Sequence, residues 1–191
     1  MAKMNQSQFK DKLEWSQRDN IKDAIEKVFR HVFADYNGFS IAPEQLDRQG
    51  VDFIVERSQR PSAYVDGKIR ELDPLEKWGH DDVALESYSV VEDQIIGWTL
   101  DMNKQTEYVL WLWPSRWLIL DYKQLRHVAV ELMATWKIRF KVAQQETTKD
   151  GRTYHSECVF VPIIEITKAI DMMFDIVRIN RGQFNQRIPI I

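Results

Sequence analysis

Asp47-Arg48-Gln49-Gly50-Val51-Asp52-Phe53-Ile54-Val55 and, after a polar stretch, Ala63-Tyr64-Val65-Asp66-Gly67-Lys68-Ile69-Arg70 decide the reading of this chain. Val51 to Val55, and Ala63 to Val65 with Ile69, are short apolar runs rich in β-branched and aromatic residues. Arg57-Ser58-Gln59-Arg60-Pro61-Ser62 separates them, a pattern that predicts a β-hairpin. Asp52 falls inside the first arm. Asp66 and Lys68 stand two positions apart on the second, so a strand turns both side chains to one face. Two carboxylates and an ammonium would then converge. Burying like charges together is costly unless a cation lies between them, and Mg²⁺ takes hard oxygen ligands, usually one or two carboxylates with water and phosphate oxygens. The pattern therefore predicts a divalent ion, Mg²⁺ or Mn²⁺, on Asp52 and Asp66. Lys68 would hold or polarise a water, or offset the negative charge that builds on a phosphate under attack.

Working outward, Ile21, Ala24, Ile25, Val28, Phe29, Val32 and Phe33 recur at helical spacing and predict an amphipathic helix from Asp19 that stops near Tyr36-Asn37-Gly38. Glu26 flanks its apolar stripe, where a solvated charge is the simpler reading. Beyond the hairpin and a charged connection, Asp82 to Val91 predicts a third strand with Asp82, Ala84 and Glu86 on one face. Glu86 becomes a further metal or water-positioning acid if that strand lies beside the one carrying Lys68; otherwise it is an edge charge facing solvent. Glu107 to Trp113 is apolar enough to be a strand buried on both faces, ended by Pro114. Arg116 to Asp121 predicts another strand, and Tyr122 to Thr135 a helix. Trp136 to Val142 alternates, with Lys137, Arg139 and Lys141 on one side. A turn at Asp150-Gly151, a return strand at Cys158 to Val161 and a helix from Pro162 to Val177 follow. Residues 1–18 predict a loose or short helical lead-in, and 178–191 show no periodicity.

Asp52 together with Asp66-Gly67-Lys68 resembles the signature of the PD-(D/E)XK nuclease superfamily. Asp47 to Asp52, Val65 to Lys68, Val83 to Glu86, Gly97-Trp98, Lys104 to Leu110 and Trp113-Pro114 are similar to small phage and prophage members, over about residues 20–140. Two features depart from the pattern: the second acid is Asp rather than the commoner Glu, and no Pro precedes Asp52. The resemblance implies an α/β, restriction-endonuclease-like core, a mixed central β-sheet flanked by α-helices, in a single domain spanning 1–191. The core would occupy about 20–140, a C-terminal hairpin and helix 136–177, and a tail 178–191. It also implies an Mg²⁺-dependent DNA endonuclease. Asp52, Asp66 and Glu86 would be metal ligands, Lys68 the catalytic lysine, and Glu26 a supporting acid, because a first-helix acid often reaches the site in that fold. Arg116, Arg126, Lys137, Arg139 and Lys141 are candidates for a phosphate groove, with the wet side of a half-exposed hairpin as the plainer reading of the last three. The alternative is a catalytically inactive nuclease-like scaffold that binds DNA or a protein partner; a protein-only interaction module is the third reading.

Composition bounds these readings. A chain of 191 residues with 44% hydrophobic and 12% aromatic content is ample for one domain's core. The net charge of −3 gives no global basic field, so any DNA contact rests on local lysines and arginines. With a single cysteine, Cys158, and four dispersed histidines, neither an intramolecular disulfide nor a zinc-ligand spacing exists. Cys158 is expected to be a buried apolar residue. Trp98, Trp111, Trp113, Trp117 and Trp136 sit in runs typical of core, while Trp78 and Trp98 are the two to watch in loops. No apolar run of signal-peptide or membrane-span type occurs, so a soluble, cytoplasmic protein of a bacterium or phage-infected host cell is expected, with DNA as partner and no membrane. A homodimer stays open. The lack of a glycine-rich phosphate loop argues against a nucleotide cofactor, and the lack of a serine between glycines against a hydrolase elbow.

Overall fold

The computed structural model describes residues 19–149, 151–174 and 179–183. The strands are β1 (Tyr36–Ile41), β2 (Phe53–Arg57), β3 (Ala63–Ile69), β4 (Asp82–Val90), β5 (Ile95–Ile96), β6 (Tyr108–Leu112), β7 (Arg116–Asp121), β8 (Val142–Lys149), β9 (Arg152–Pro162) and β10 (Ile179–Gln183). The helices are α1 (Asp19–Val32), α2 (Glu44–Asp47), α3 (Pro74–Trp78), α4 (Tyr122–Arg139) and α5 (Ile163–Phe174). The class is mixed α/β. Two compact units alternate along the chain: one holds the described parts of 16–78, 103–123 and 178–191, the other those of 79–102 and 124–177.

The first unit is built on a six-stranded sheet in the order β1-β2-β3-β6-β7-β10. Its pairs are antiparallel except β3 with β6, which run parallel. A parallel pair cannot be joined by a tight turn and needs a long crossover. Here residues 70–107 supply it, and their middle part belongs to the other unit, which is why the chain alternates between the two. The inner strands are dry on both faces: Val55, Ala63, Val65, Val109 and Leu110 have no exposed surface, as continuous apolar runs require. Helix α1 covers this sheet with Ile21, Ala24, Ile25, Val28 and Phe29, all buried. Phe29 meets Phe33, Phe39 and Phe53 edge-on at centroid distances of 6.0, 5.5 and 6.1 Å, the arrangement that aromatic quadrupoles favour.

The second unit is built on a four-stranded antiparallel sheet, β5-β4-β9-β8. It includes α5, whose buried side is Ile163, Ile166, Ala169 and Ile170, and α4 from residue 124 onward.

Several sequence expectations change. Asp82–Val90 is a strand, but it pairs with β5 and β9 in the four-stranded sheet rather than joining the hairpin. Lys137 and Arg139 are not on a strand: α4 continues to Arg139, placing both in its last turn, and Lys141 lies in the link before β8. Cations at a helix C-terminus complement its dipole, and period-2 alternation over seven residues does not outweigh that. Tyr36–Ile41, read as a helix stop and loop, is the edge strand β1, with an irregular register between Tyr36 and Gly38. The tail read as aperiodic contributes β10, paired to β7. The lead-in expected over 1–18 lies outside the described residues, as does Asp150 of the predicted turn, where Gly151 has a positive φ of 77°. Cys158 is half-buried rather than fully buried. Among the described residues no helix is long and apolar enough to cross a membrane.

Candidate metal centre

The hairpin forms as its sequence demands, with β2 and β3 antiparallel and Phe53 opposite Val65. The register ends there, and just before β2 the Asp52 N–H donates to the carbonyl of the same Val65 at 2.9 Å, which brings Asp52 beside the stretch that carries Asp66. The Asp52 and Asp66 carboxylates lie close enough for their like charges to repel. Asp52 thus lies just before β2, within ladder reach. Its Oδ2 accepts a hydrogen bond from the Gly67 N–H at 2.6 Å. Gly67 is the spacer between Asp66 and Lys68, and a Cβ on it would come within 2.5 Å of the Phe53 ring. Only glycine lets the strand lie this close to the phenyl edge.

Asp66 is 2% exposed, the most buried carboxylate of the site. Lys68 Nζ stands 2.6 Å from its Oδ1, and Lys104 Nζ stands 2.6 Å from its Oδ2. Burial opposes ionisation of Asp66, but the two ammonium groups outweigh it and hold the carboxyl below its ordinary range. Asp52 behaves oppositely. Burial first, then the negative charge of Asp66, pushes its pKa up to about 7, against partial relief from the Gly67 N–H and Lys68. Near neutral pH Asp52 therefore carries a proton part of the time, hydrogen-bonded toward Asp66.

Sequence reasoning misses Lys104 as a site residue, although it falls within the stretches carrying the resemblance. It precedes β6 in an irregular segment stitched to the loop before Asp52. The Gln105 N–H donates to the Gln49 carbonyl at 3.2 Å, and Thr106 Oγ1 donates to the Gly50 carbonyl. Gly50 has a φ of +82°, and a Cβ there would overlap Lys104 Cε and Nζ. A glycine is needed at position 50 both for the turn and for the lysine lying flush on it. No periodicity marks a loop lysine; the only signal is its place at the mouth of a strand neighbouring the Lys68 strand.

The site thus holds two carboxylates and two ammonium groups. Its oxygens suit a hard divalent cation. Asp66 Oδ1 is a fully enclosed atom with no well-aligned hydrogen bond despite the nearby Lys68, and the repulsion between Asp52 and Asp66 is of the kind that a cation between them would relieve. Asp52 and Asp66 are the residues that would hold Mg²⁺, leaving the remaining positions to water and phosphate oxygens. Among the described residues no group of three or more His, Cys, Asp or Glu is arranged to hold a metal.

The other predicted site residues lie elsewhere or have other partners. Glu86 is on β4, which neighbours β5 and β9 and not β3, so the condition for its metal role fails. Its Oε2 accepts from the Trp98 N–H at 3.0 Å. Glu26 is bound by Arg30, one helical turn on, at 2.6 and 3.0 Å. Arg116 is held by buried Asp73 through Nε at 2.7 Å and Nη2 at 2.9 Å, and stacks on Trp113 at 4.4 Å. Arg126 Nε donates to the Leu100 carbonyl at 3.3 Å. Lys137 pairs with Glu157 at 2.6 Å and Arg139 with Glu165 at 3.0 Å, while Lys141 lies over the Phe160 ring at 5.2 Å. Lys137, Arg139 and Lys141 therefore do not share the strand face on which the sequence set them as phosphate-groove candidates. Trp111, Trp113, Trp117 and Trp136 are core, Trp98 is half-buried, and Trp78 is 58% exposed.

No protein-family model matches the sequence, and comparison with curated proteins and with solved structures finds no significant similarity.

Proposed function

We propose that this chain is an Mg²⁺-dependent deoxyribonuclease with a restriction-endonuclease-like core, cutting phosphodiester bonds at internal positions in DNA. The observation that carries the reading is the convergence of Asp52, Asp66 and Lys68 on one patch, with Lys68 Nζ 2.6 Å from Asp66 Oδ1. When bound, Mg²⁺ would polarise a phosphoryl oxygen and acidify a water. Asp52 and Asp66 would orient it, and the Gly67 N–H would fix the Asp52 carboxylate by its 2.6 Å hydrogen bond. Lys68 would hold the attacking water or steady the charge gathering on the phosphate. The buried setting of Asp66 strengthens each of these electrostatic contacts relative to water.

The test is nicking of supercoiled DNA in Mg²⁺, Mn²⁺ and EDTA by the wild type, Asp66→Ala and Lys68→Ala. Metal-dependent nicking lost in both variants supports the enzyme. Cleavage that persists in either variant, or none with any metal, supports an inactive scaffold. One observation favours that second reading: Lys104 already neutralises Asp66 at Oδ2, so with both carboxylates ionised the cluster is charge-balanced without a metal. A scaffold would still bind DNA in a salt-sensitive manner or hold a protein partner.

A further inference from the structure

We propose that Lys104 is a built-in stand-in for the divalent cation, holding Asp66 Oδ2 in the resting site and passing its ammonium to a phosphate oxygen of the incoming DNA when metal binds. The proposal rests on the nuclease reading and adds to it how the site is regulated.

Charge and geometry carry the inference. Asp52 and Asp66 offer two negative charges when ionised, and Lys68 and Lys104 two positive ones, so adding a divalent ion would leave the pocket two charges in excess. Like charges several ångströms apart in a poorly solvated site repel strongly. A metal can enter stably only if an ammonium withdraws or an anion arrives, and a phosphodiester is an anion of the right kind. Lys104 is the one placed to move. Lys68 stands on β3, whose backbone is fixed between β2 and β6. Lys104 stands before β6 in an irregular segment, and its long side chain reaches back over Gly50 to Asp66. The chain at 105 and 106 is anchored to Gln49 and Gly50, so a swing of the lysine side chain leaves that anchorage in place. Gly50 supplies the bare surface along which it lies. The resting arrangement keeps a carboxylate that is 2% exposed paired until both metal and substrate are present.

Mn²⁺ affinity of the full chain, read by calorimetry and by Mn²⁺ electron paramagnetic resonance without DNA, tests this. Wild type, Lys104→Met, Lys104→Arg, Lys68→Met and Asp66→Ala are compared, each checked for a cooperative thermal transition. Lys104→Met is expected to bind Mn²⁺ about ten- to a hundred-fold more tightly than wild type, since a competing charge at contact distance is gone. Lys104→Arg should stay near wild type, and a short DNA duplex should tighten Mn²⁺ binding in wild type but much less in Lys104→Met. Equal or weaker Mn²⁺ binding by Lys104→Met overturns the stand-in role while leaving the metal site intact, provided Asp66→Ala abolishes binding. Binding in neither wild type nor Lys104→Met overturns the nuclease reading and this inference with it. Tight binding by Lys104→Met where wild type binds none supports the inference. If Lys104→Met does not fold, Lys104→Gln takes its place with the same expectation.

Discussion

Replacing Asp52 by asparagine should stabilise the metal-free protein, and by an amount that depends on pH. The native Asp52 carboxyl ionises only near pH 7, whereas its ordinary value is 3.8. A proton held that much more tightly in the folded state makes stability fall as pH rises. The penalty is absent below the unfolded value, grows from about pH 4, and is complete once pH exceeds the folded value. A separation of this size corresponds to a ceiling of about 4 kcal/mol at high pH. Asp52 is partly exposed and its proton is shared with Asp66, so roughly 1–3 kcal/mol is the expected gain at pH 8. The side-chain amide introduced by Asp52→Asn would keep an oxygen to accept the Gly67 N–H, and it removes the repulsion from Asp66. In a chain of this size that is about 3–9 °C in Tm. Thermal melts of both proteins in EDTA from pH 4.5 to 8.5 provide the measurement. The two curves should nearly meet at the acid end and diverge steadily to about pH 8. A constant gap across that range, or an Asp52→Asn protein that melts lower than wild type at pH 8, would refute the reasoning.

Three further outcomes follow from the same geometry. Gly67→Ala puts a methyl against the Phe53 ring, which must then move within its packing on Phe29 and Phe39, so urea denaturation should show a loss of about 1–3 kcal/mol; Phe53→Leu in the same chain should restore part of it. Asp73→Ala leaves Arg116 without the partner that binds it at 2.7 Å and uncaps the Leu75 N–H. A loss of about 3–5 kcal/mol is expected, and Asp73→Asn should lose less. Burial works against ionisation of Asp73, but Arg116, the Leu75 N–H and Ser115 together hold its carboxyl below the ordinary range. That stability is therefore present above pH 4 and drains away as pH falls through the lowered value, so wild type and Asp73→Ala should converge in acid denaturation. In DNA cleavage, Lys68→Ala and Asp66→Ala should each remove metal-dependent nicking, while Glu26→Gln, whose carboxylate serves Arg30, should leave it within about two-fold of wild type.

The amphipathic spacing of Ile21 to Phe33, the two hairpin arms and the dry strands over 108–112 and 116–121 are legible because burial on one or both faces leaves a direct trace in residue type. The meeting of Asp52, Asp66 and Lys68 is legible for the same reason, since strand alternation fixes which side chains share a face. What periodicity does not encode is which sheet a strand joins. Val83 and Leu85 alternate as well in a four-stranded sheet as in a six-stranded one, so nothing in the pattern around Glu86 reveals its true neighbours. Asn37-Gly38 reads as a helix stop because it tolerates an irregular backbone, and the register break at Tyr36 and Gly38 uses that property inside a strand. Lys137 and Arg139 satisfy both an alternating face and the last turn of a helix; Leu125, Val128, Ala129, Met133 and Trp136, buried in one stripe, decide for the helix. Lys104 leaves no pattern because its position is set by hydrogen bonds to Gln49 and Gly50 that are distant in sequence.

The most direct test is crystallographic: crystals of the protein grown with Mn²⁺ and a short DNA duplex, with anomalous scattering measured at the manganese edge. A metal peak within coordination distance of both Asp52 and Asp66, with Lys104 turned toward a phosphate, is the predicted result. A map in which no peak touches Asp66 and Lys104 still grips its Oδ2 would contradict the account.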